Sequence, residues 1–409
     1  MLQLGPRTEA FSANSEQFVI AFATPAMWLL WRASTSKNVW LMLLSGVLFG
    51  MAYLMKQHGA LFALAGGMYL LVCAYRSGQD GRTFYVRAIA SLAAGAAAPV
   101  ALTAAYIAAT GRWSEFWFWT FTYARGYASS TPIFDGLSVL GHQLIVVAWP
   151  FALIWLFAAL GFASLGAKRP AGTMYMFLVL AASIAAVSVG LYFRSHYFRL
   201  LFPALSILAA FRVTAFAATV KENRRAATAA VLVLIACAVP LIAERRPLFA
   251  MSPGEVSRYV SGANPFPESI EIARYIREHT DESDTIAILG SEPQILFYAN
   301  RRAPTGHMYM YEMTEVHPNA RELQEKFIVG LENAEPKYIV DCAVPTSWLL
   351  RTGSDTSIVD WAGPYLREHY DCVGLVNLLR MGSEFHWDAV AQDADPRTPL
   401  YIKVYRRRA

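Results

Sequence analysis

"MAYLMKQHGALFALAGG", residues 51–67, sets a lysine, a glutamine and a histidine inside an otherwise apolar run. The run extends from Val39 to Cys73. As one helix it would be roughly 50 Å long at 1.5 Å per residue. A bilayer's hydrocarbon core is only about 30 Å thick and is crossed by roughly 20 apolar residues. Two helices joined at Lys56-Gln57-His58-Gly59 fit that thickness, and one does not. On this reading Lys56 marks a turn at a membrane surface. A lone lysine that merely snorkels is the plainer alternative.

The whole chain has the same character. Its 409 residues are 56% hydrophobic and only 16% charged, with a mean hydropathy of +0.33. Both depart from ordinary soluble domains towards a membrane protein. Apolar stretches near spanning length recur at about 17–33, 39–55, 59–75, 88–109, 138–165, 172–191, 198–218 and 226–243. They predict about eight transmembrane helices. Alternate connections carry Arg32 and Lys37; Arg76, Arg82 and Arg87; Lys168 and Arg169; and Lys221, Arg224 and Arg225. The positive-inside rule places these in the cytoplasm.

The other connections then face outward, and with them everything after Ala243. Glu16, Lys56, Arg125, Arg194 and His196 gather on that outer face. The aromatic stretch "RWSEFWFWTFTYARGYASSTPIF" (112–134) suits the headgroup layer and predicts a short interfacial helix. A plain aromatic belt and a grip on a lipid substrate explain it equally well.

Composition changes after Ala243. Residues 244–266 read as a Pro/Gly/Ser-rich linker between a multi-span domain (1–243) and an extracytoplasmic α/β domain (267–409). In the latter, "ESIEIARYIREHT" has helical spacing, and "DTIAILG", "KYIVDCA", "DCVGLVNLL" and "YIKVYRR" read as strands. Helix–strand alternation predicts a mainly parallel sheet. The fold class is therefore a polytopic helical membrane protein with a C-terminal α/β domain.

The candidate binding residues are cations on the shared face. Lys56 acts as a point charge and arginine as a bidentate fork for an anion such as a lipid phosphate. In "RSHYFRLLFP" (194–203), Arg194, His196, Tyr197 and Arg199 cluster before an apolar span; anchoring of the helix mouth is the plainer reading. Glu16 opens the first span, where Asn14 or Ser15 would cap and the helix dipole favours a carboxylate. No partner carboxylate is evident for Glu16 in a stretch whose few outward acids are Glu9, Glu16, Glu115 and Asp135.

His307, Glu312, Glu315 and His317 match no zinc spacing and read as a solvated loop. Of the four cysteines, Cys342 and Cys372 either pair in an oxidising compartment or stay as buried thiols. The net charge of +5 is scattered, with no nucleic-acid footprint.

"SGVLFGMAYLMKQHGALF", "SHYFRLLFPALSILAA" and "ARYIREHTDESDTIAILGSEPQILFYANRRAPT" together resemble the dolichyl-phosphate-mannose-protein mannosyltransferase superfamily. These are membrane glycosyltransferases of the GT-C type, and bacterial members include the lipid A aminoarabinose transferases. The likeness covers most of the chain in order. It implies a protein of the bacterial plasma (inner) membrane that moves a sugar from a polyprenyl-phosphate carrier to a lipid, glycan or protein acceptor outside. Lys56 then neutralises the carrier phosphate, His196 and Tyr197 lie beside it, and Glu16 is an accessory acid near the cavity. Positive charge there stabilises the departing phosphate.

The resemblance also implies a first outer loop with the principal catalytic acid, and this chain begins at what corresponds to a later loop. Roughly a hundred residues, about four helices at 20–25 residues each, are then expected upstream, through a misassigned start or a fragment. The principal catalytic residue is thus unassigned. The sequence specifies no cofactor, and a divalent metal stays open. A non-catalytic scaffold or lipid-phosphate binder with an outer interaction domain is the alternative. A transporter is the weaker third reading, since no inverted repeat is evident.

Overall fold

Lys56 is where the apolar run breaks. In a computed structural model that describes residues 1–128, 131–165, 170–379 and 382–408, helix α2 (Val39–Met55) stops at Lys56, whose backbone is extended (φ −163°, ψ 139°). A 3-10 turn, Gln57–Gly59, then leads into α3 (Ala60–Arg76). Gly59 packs against α2: a Cβ there would lie 2.5 Å from the Ala52 carbonyl. The preceding helix α1 (Ser15–Ser36) begins after an extended Asn14 and carries Glu16 in its first turn. Asn38 caps α2, its side-chain oxygen accepting the N–H groups of Trp40 (2.9 Å) and Leu41 (3.2 Å).

The remaining helices of this unit, which spans Met1–Ala250, follow in order. They are α4 (Gln79–Ala109), α5 (Trp113–Trp117), α6 (Ala124–Ala128), α7 (Ile133–Ala148), α8 (Ala152–Ala163), α9 (Pro170–Ser188), α10 (Phe202–Ala217), α11 (Glu222–Ala243) and α12 (Arg245–Phe249). The aromatic stretch forms α5, a π-helical turn Phe118–Tyr123, and α6. Lys168 and Arg169 lie outside the described residues.

Among the described residues, six helical stretches are long and apolar enough to cross a membrane: Gln57–Arg76, Gly81–Ala109, Ile133–Ala163, Ala171–Leu191, Ser195–Ala217 and Glu222–Ala243. The first two of the eight expected spans fall outside that set. Helix α2 has 17 residues, and α1 mixes Glu16, Gln17 and Arg32 with its apolar residues.

Close helix contact depends on small residues, as it does wherever burial of apolar surface alone gives little drive. Helices α2 and α4 meet at Gly46, Gly50 and Gly95. A Cβ on Gly46 would sit 2.2 Å from the Leu92 carbonyl oxygen, and one on Gly95 2.2 Å from that of Leu43. Helices α8 and α10 meet in the same way at Gly161, where a Cβ would sit 2.1 Å from the Leu208 oxygen.

The second unit spans Met251–Ala409. Residues 244–266 hold α12 and α13 (Pro253–Ser261), the latter closed by a capping box between Ser252 and Glu255. Then come α14 (Phe266–Glu278), β1 (Ile286–Leu289), α15 (Gln294–Ala299), α16 (Tyr311–Thr314), α17 (Ala320–Ala334), β2 (Tyr338–Ala343), α18 (Pro345–Trp348), α19 (Ser357–His369), β3 (Tyr370–Leu379), β4 (Gly382–Trp387), α20 (Ala389–Gln392) and β5 (Tyr401–Arg407). Strand order is β1-β2-β5-β3-β4. Ile286, Ile288, Val340, Val376 and Val404 pack with Ile272 and Ile276 of α14. Their neighbours Ala287, Leu289, Ile339 and Leu375 are buried too. Alternation along a strand puts the two sets on opposite faces, so both faces are covered.

The sheet is not mainly parallel, as the helix–strand alternation suggested. Only β1 and β2 run parallel; β5 is antiparallel to both β2 and β3, and β3 to β4. Leu379 pairs with Gly382, and two residues cannot make the crossover that parallel strands need. Strand β4 escaped the sequence reading because it is short and opens with Gly382, Ser383 and Glu384, which resemble a turn.

Cys342 and Cys372 are both free thiols. They sit on β2 and β3, opposite Ile402 and Tyr405 of the intervening β5. Two strand spacings are about 9.5 Å, beyond the roughly 7 Å that a disulfide can bridge between Cα atoms. Of the two readings open at the outset, that of unpaired thiols stands.

Candidate functional site

Ion pairs and hydrogen bonds tie the first unit's connections together at two ends. At one end Lys37, just past α1, donates from Nζ to the Tyr85 hydroxyl near the start of α4 (2.9 Å). At the other, Lys56 pairs with Glu16, Gln57 donates to the Thr120 carbonyl (2.6 Å), and Arg7 pairs with Glu244 (3.1 Å). The acid and the lysine are 40 residues apart in sequence; α1 running up and α2 running down bring them together. Glu16 is 1% exposed and Lys56 25%. The carboxylate is thus enclosed while the lysine side chain stays partly exposed. Lysine has three donors, so an ammonium paired with Glu16 retains donors for an anion.

The third contributor is the 3-10 segment Ser195–Leu201 ahead of α10. Lys56 Nζ stands 4.3 Å from the centroid of the Tyr197 ring, a cation–π contact. His196 lies edge-on to Tyr197 at 4.9 Å between centroids, and His58 edge-on from another side at 6.1 Å. His196 Nδ1 is 2.9 Å from Glu9 Oε1. Ser195 Oγ and Asn14 Nδ2 also donate to the Glu9 carboxylate, at 3.3 and 2.9 Å.

Burial pushes the Glu9 carboxyl up. The hydrogen bond and charge of His196, helped by Asn14 and Ser195, outweigh burial and hold it at about 2, against an ordinary 4.5. A group so depressed stabilises the fold above pH 4.5, and that contribution is lost as pH falls towards 2. The thermal midpoint of the detergent-solubilised chain should therefore fall across this window, and fall less steeply in Glu9→Gln. Equal slopes in the two proteins would remove Glu9 from the account.

The other expected residues are placed differently. Arg199 is 1% exposed. Its Nε donates to the Thr8 carbonyl (2.9 Å) and its Nη1 to Gln3 Oε1 (3.2 Å). It therefore holds the N-terminal segment in place rather than facing solvent. Among the described residues, Nη2 of Arg199 is buried with no partner. Arg194 lies against Tyr192, 5.5 Å from its ring centroid. Glu9 received no role in the sequence reading beyond being an outward acid. The only signal available was its presence in a segment poor in acids, since its partner is 187 positions away.

In the second unit His317 Nε2 bonds the Glu312 carbonyl oxygen (2.6 Å). Burial and the neighbouring Glu315 push the Glu312 carboxyl up to about 7. Among the described residues, no group of three His, Cys, Asp or Glu side chains converges to hold a metal ion.

A large apolar cavity of about 1680 Å³ lies between α1, α9 and α10, lined by Trp28, Trp31, Tyr175, Met176, Val179 and Phe211 among others. It does not include Lys56 or His196. The lining residue of α1 nearest in sequence to Glu16, Thr24, is eight residues from it, roughly 12 Å at the helical rise. The cavity and the charged cluster are separate features.

No protein-family model matches the chain, and no curated protein does. The cluster at Lys56, Tyr197, His196, Glu9 and Glu16 thus rests on geometry alone.

Proposed function

We propose that this chain is a membrane glycosyltransferase, or part of one, that moves a sugar from a polyprenyl-phosphate carrier to an acceptor at the outer face of a bacterial inner membrane. One observation carries the reading. Two stretches that bear the likeness to GT-C enzymes, around Lys56 and around His196-Tyr197, are more than a hundred positions apart, yet meet with Lys56 over the Tyr197 ring.

Lys56, whose side chain stays partly exposed, receives the carrier phosphate, and Tyr197 flanks it. As the sugar–phosphate bond breaks, negative charge grows on the phosphate beside a fixed cation in a setting with little water, where such stabilisation is strongest. The basic connections at the Lys37 end face the cytoplasm, so the charged cluster and the second unit face outward.

Both acids of the cluster are already engaged, Glu16 by the Lys56 ammonium and Glu9 by the His196 imidazole. That favours a second reading, a protein that binds lipid phosphate without transferring a sugar. The test uses the purified chain in nanodiscs with undecaprenyl phosphate and a panel of its glucosyl, mannosyl and aminoarabinosyl esters. Binding of undecaprenyl phosphate together with its release from one ester supports the transferase. Binding alone supports the second reading, and no binding sinks both.

Orientation has its own test. A cysteine at Ser257 should react with an impermeant maleimide in intact cells and one at Asn223 should not. The opposite labelling would turn the protein over and remove the outer-face assignment.

A further inference from the structure

We propose that His196, oriented by Glu9, accepts the proton of the attacking hydroxyl in that transfer; the assignment rests on the reading above. The sequence offered no base for an acceptor hydroxyl, and this pair supplies one. Glu9 is a carboxylate whose Oε1 faces His196 Nδ1 at 2.9 Å. Facing an anion, Nδ1 carries the ring's hydrogen, which leaves the Nε2 lone pair as the acceptor. Among the described residues Nε2 makes no hydrogen bond, and the side chain is 14% exposed. A carboxylate that fixes the tautomer and orientation of an imidazole, with the far nitrogen open, is the arrangement that general-base catalysis uses.

The carboxylate is held in place at a cost. Glu9 adopts a left-handed backbone (φ 58°, ψ 44°), unfavourable for a residue with a Cβ by roughly 1–2 kcal/mol. Such a conformation persists only where its surroundings impose it. Buried Arg199 does so by gripping Gln3 and Thr8 on the segment that ends in Glu9, which makes it a positioning residue. Tyr197 sets the imidazole relative to the phosphate anchor, because its ring lies 4.9 Å from His196 and 4.3 Å from Lys56 Nζ between centres. Base and phosphate anchor therefore flank one aromatic ring.

The acceptor oxygen attacks the anomeric carbon while its proton moves to His196 Nε2. The bond from that carbon to the phosphate oxygen breaks, and the electron pair leaves on polyprenyl phosphate beside Lys56. Glu9 stabilises the imidazolium without taking the proton, which later passes to water.

The competing explanation is a purely structural tie between the N-terminal segment and the Ser195–Leu201 turn. His196→Asn separates the two, since its amide nitrogen replaces Nδ1 towards Glu9 but nothing replaces Nε2. With the undecaprenyl-phosphate ester that the wild type turns over, this variant should lose about 10²–10⁴-fold in transfer and bind undecaprenyl phosphate within threefold of wild type. Should it fail to fold, Glu9→Gln serves instead, with the same binding and a smaller loss of transfer. Nitrogen NMR of labelled histidine in the wild type should show the hydrogen on Nδ1 of His196.

Unimpaired transfer by His196→Asn, or a hydrogen on Nε2, overturns the assignment and leaves the transferase reading standing. A wild type that binds undecaprenyl phosphate and transfers nothing overturns both.

Discussion

Lys56→Ala should destabilise the first unit by about 3 kcal/mol, the usual cost of removing one partner from a buried ion pair. Glu16 is almost fully enclosed, and without the ammonium its carboxylate must stay charged with little water or take up a proton. Adding Glu16→Gln to Lys56→Ala should recover most of the loss, because a neutral amide costs far less to bury. Thermal unfolding of all four proteins of the cycle in one detergent measures this. A double variant no more stable than the single one would mean that the pair is not energetically linked. The result bears on function as well: a Lys56→Ala protein that loses transfer loses it partly through Glu16. The informative comparison is therefore between the double variant and Glu16→Gln alone, which differ in the ammonium.

Gly46→Leu should be more damaging still. Its Cβ alone would fall 2.2 Å from a backbone oxygen of α4, and backbone cannot rotate aside as a side chain can. Helices α2 and α4 must separate along the seam that Gly46, Gly50 and Gly95 share, at a cost at or above the roughly 1–3 kcal/mol typical of overpacking. The variant should elute as aggregate or unfold well below the wild type on size exclusion after heating. Gly67→Ala is the control, since nothing lies within 4 Å of a Cβ there, and it should gain up to about 1 kcal/mol from helix propensity. Gly46→Leu and Gly95→Leu should not add when combined, because they open the same contact. A Gly46→Leu protein as stable as the wild type would refute the α2–α4 packing.

Much of this architecture was legible in the residues. The break at Lys56 followed from a mismatch between a largely apolar run of 35 residues, Val39–Cys73, and the thickness of a bilayer, and α2 and α3 end and begin around it. Strands β1 and β2 announced themselves as short apolar runs because both of their faces are buried. Strand β4 and the sheet's direction were not legible. Strand β4 opens with Gly382, Ser383 and Glu384, which read as a turn, and pairing direction depends on which strands become neighbours. The last strand, β5, inserts between β2 and β3, a choice that no local pattern encodes.

The candidate site divides in the same way. Lys56, His196 and Tyr197 stand out in sequence as polar residues at the mouths of apolar spans. Their chemistry was settled elsewhere: Glu16 for Lys56, Glu9 for His196, and the burial that turned Arg199 from an expected phosphate contact into a support for the N-terminal segment.

The sequence by itself determined the apolar helices, their turns and the cations at the turns. These depend on hydropathy and periodicity, which are properties of neighbouring residues. Only the tertiary structure decided which acid meets which base. Such pairs join residues 40 and 187 positions apart, and their meeting depends on how whole helices pack.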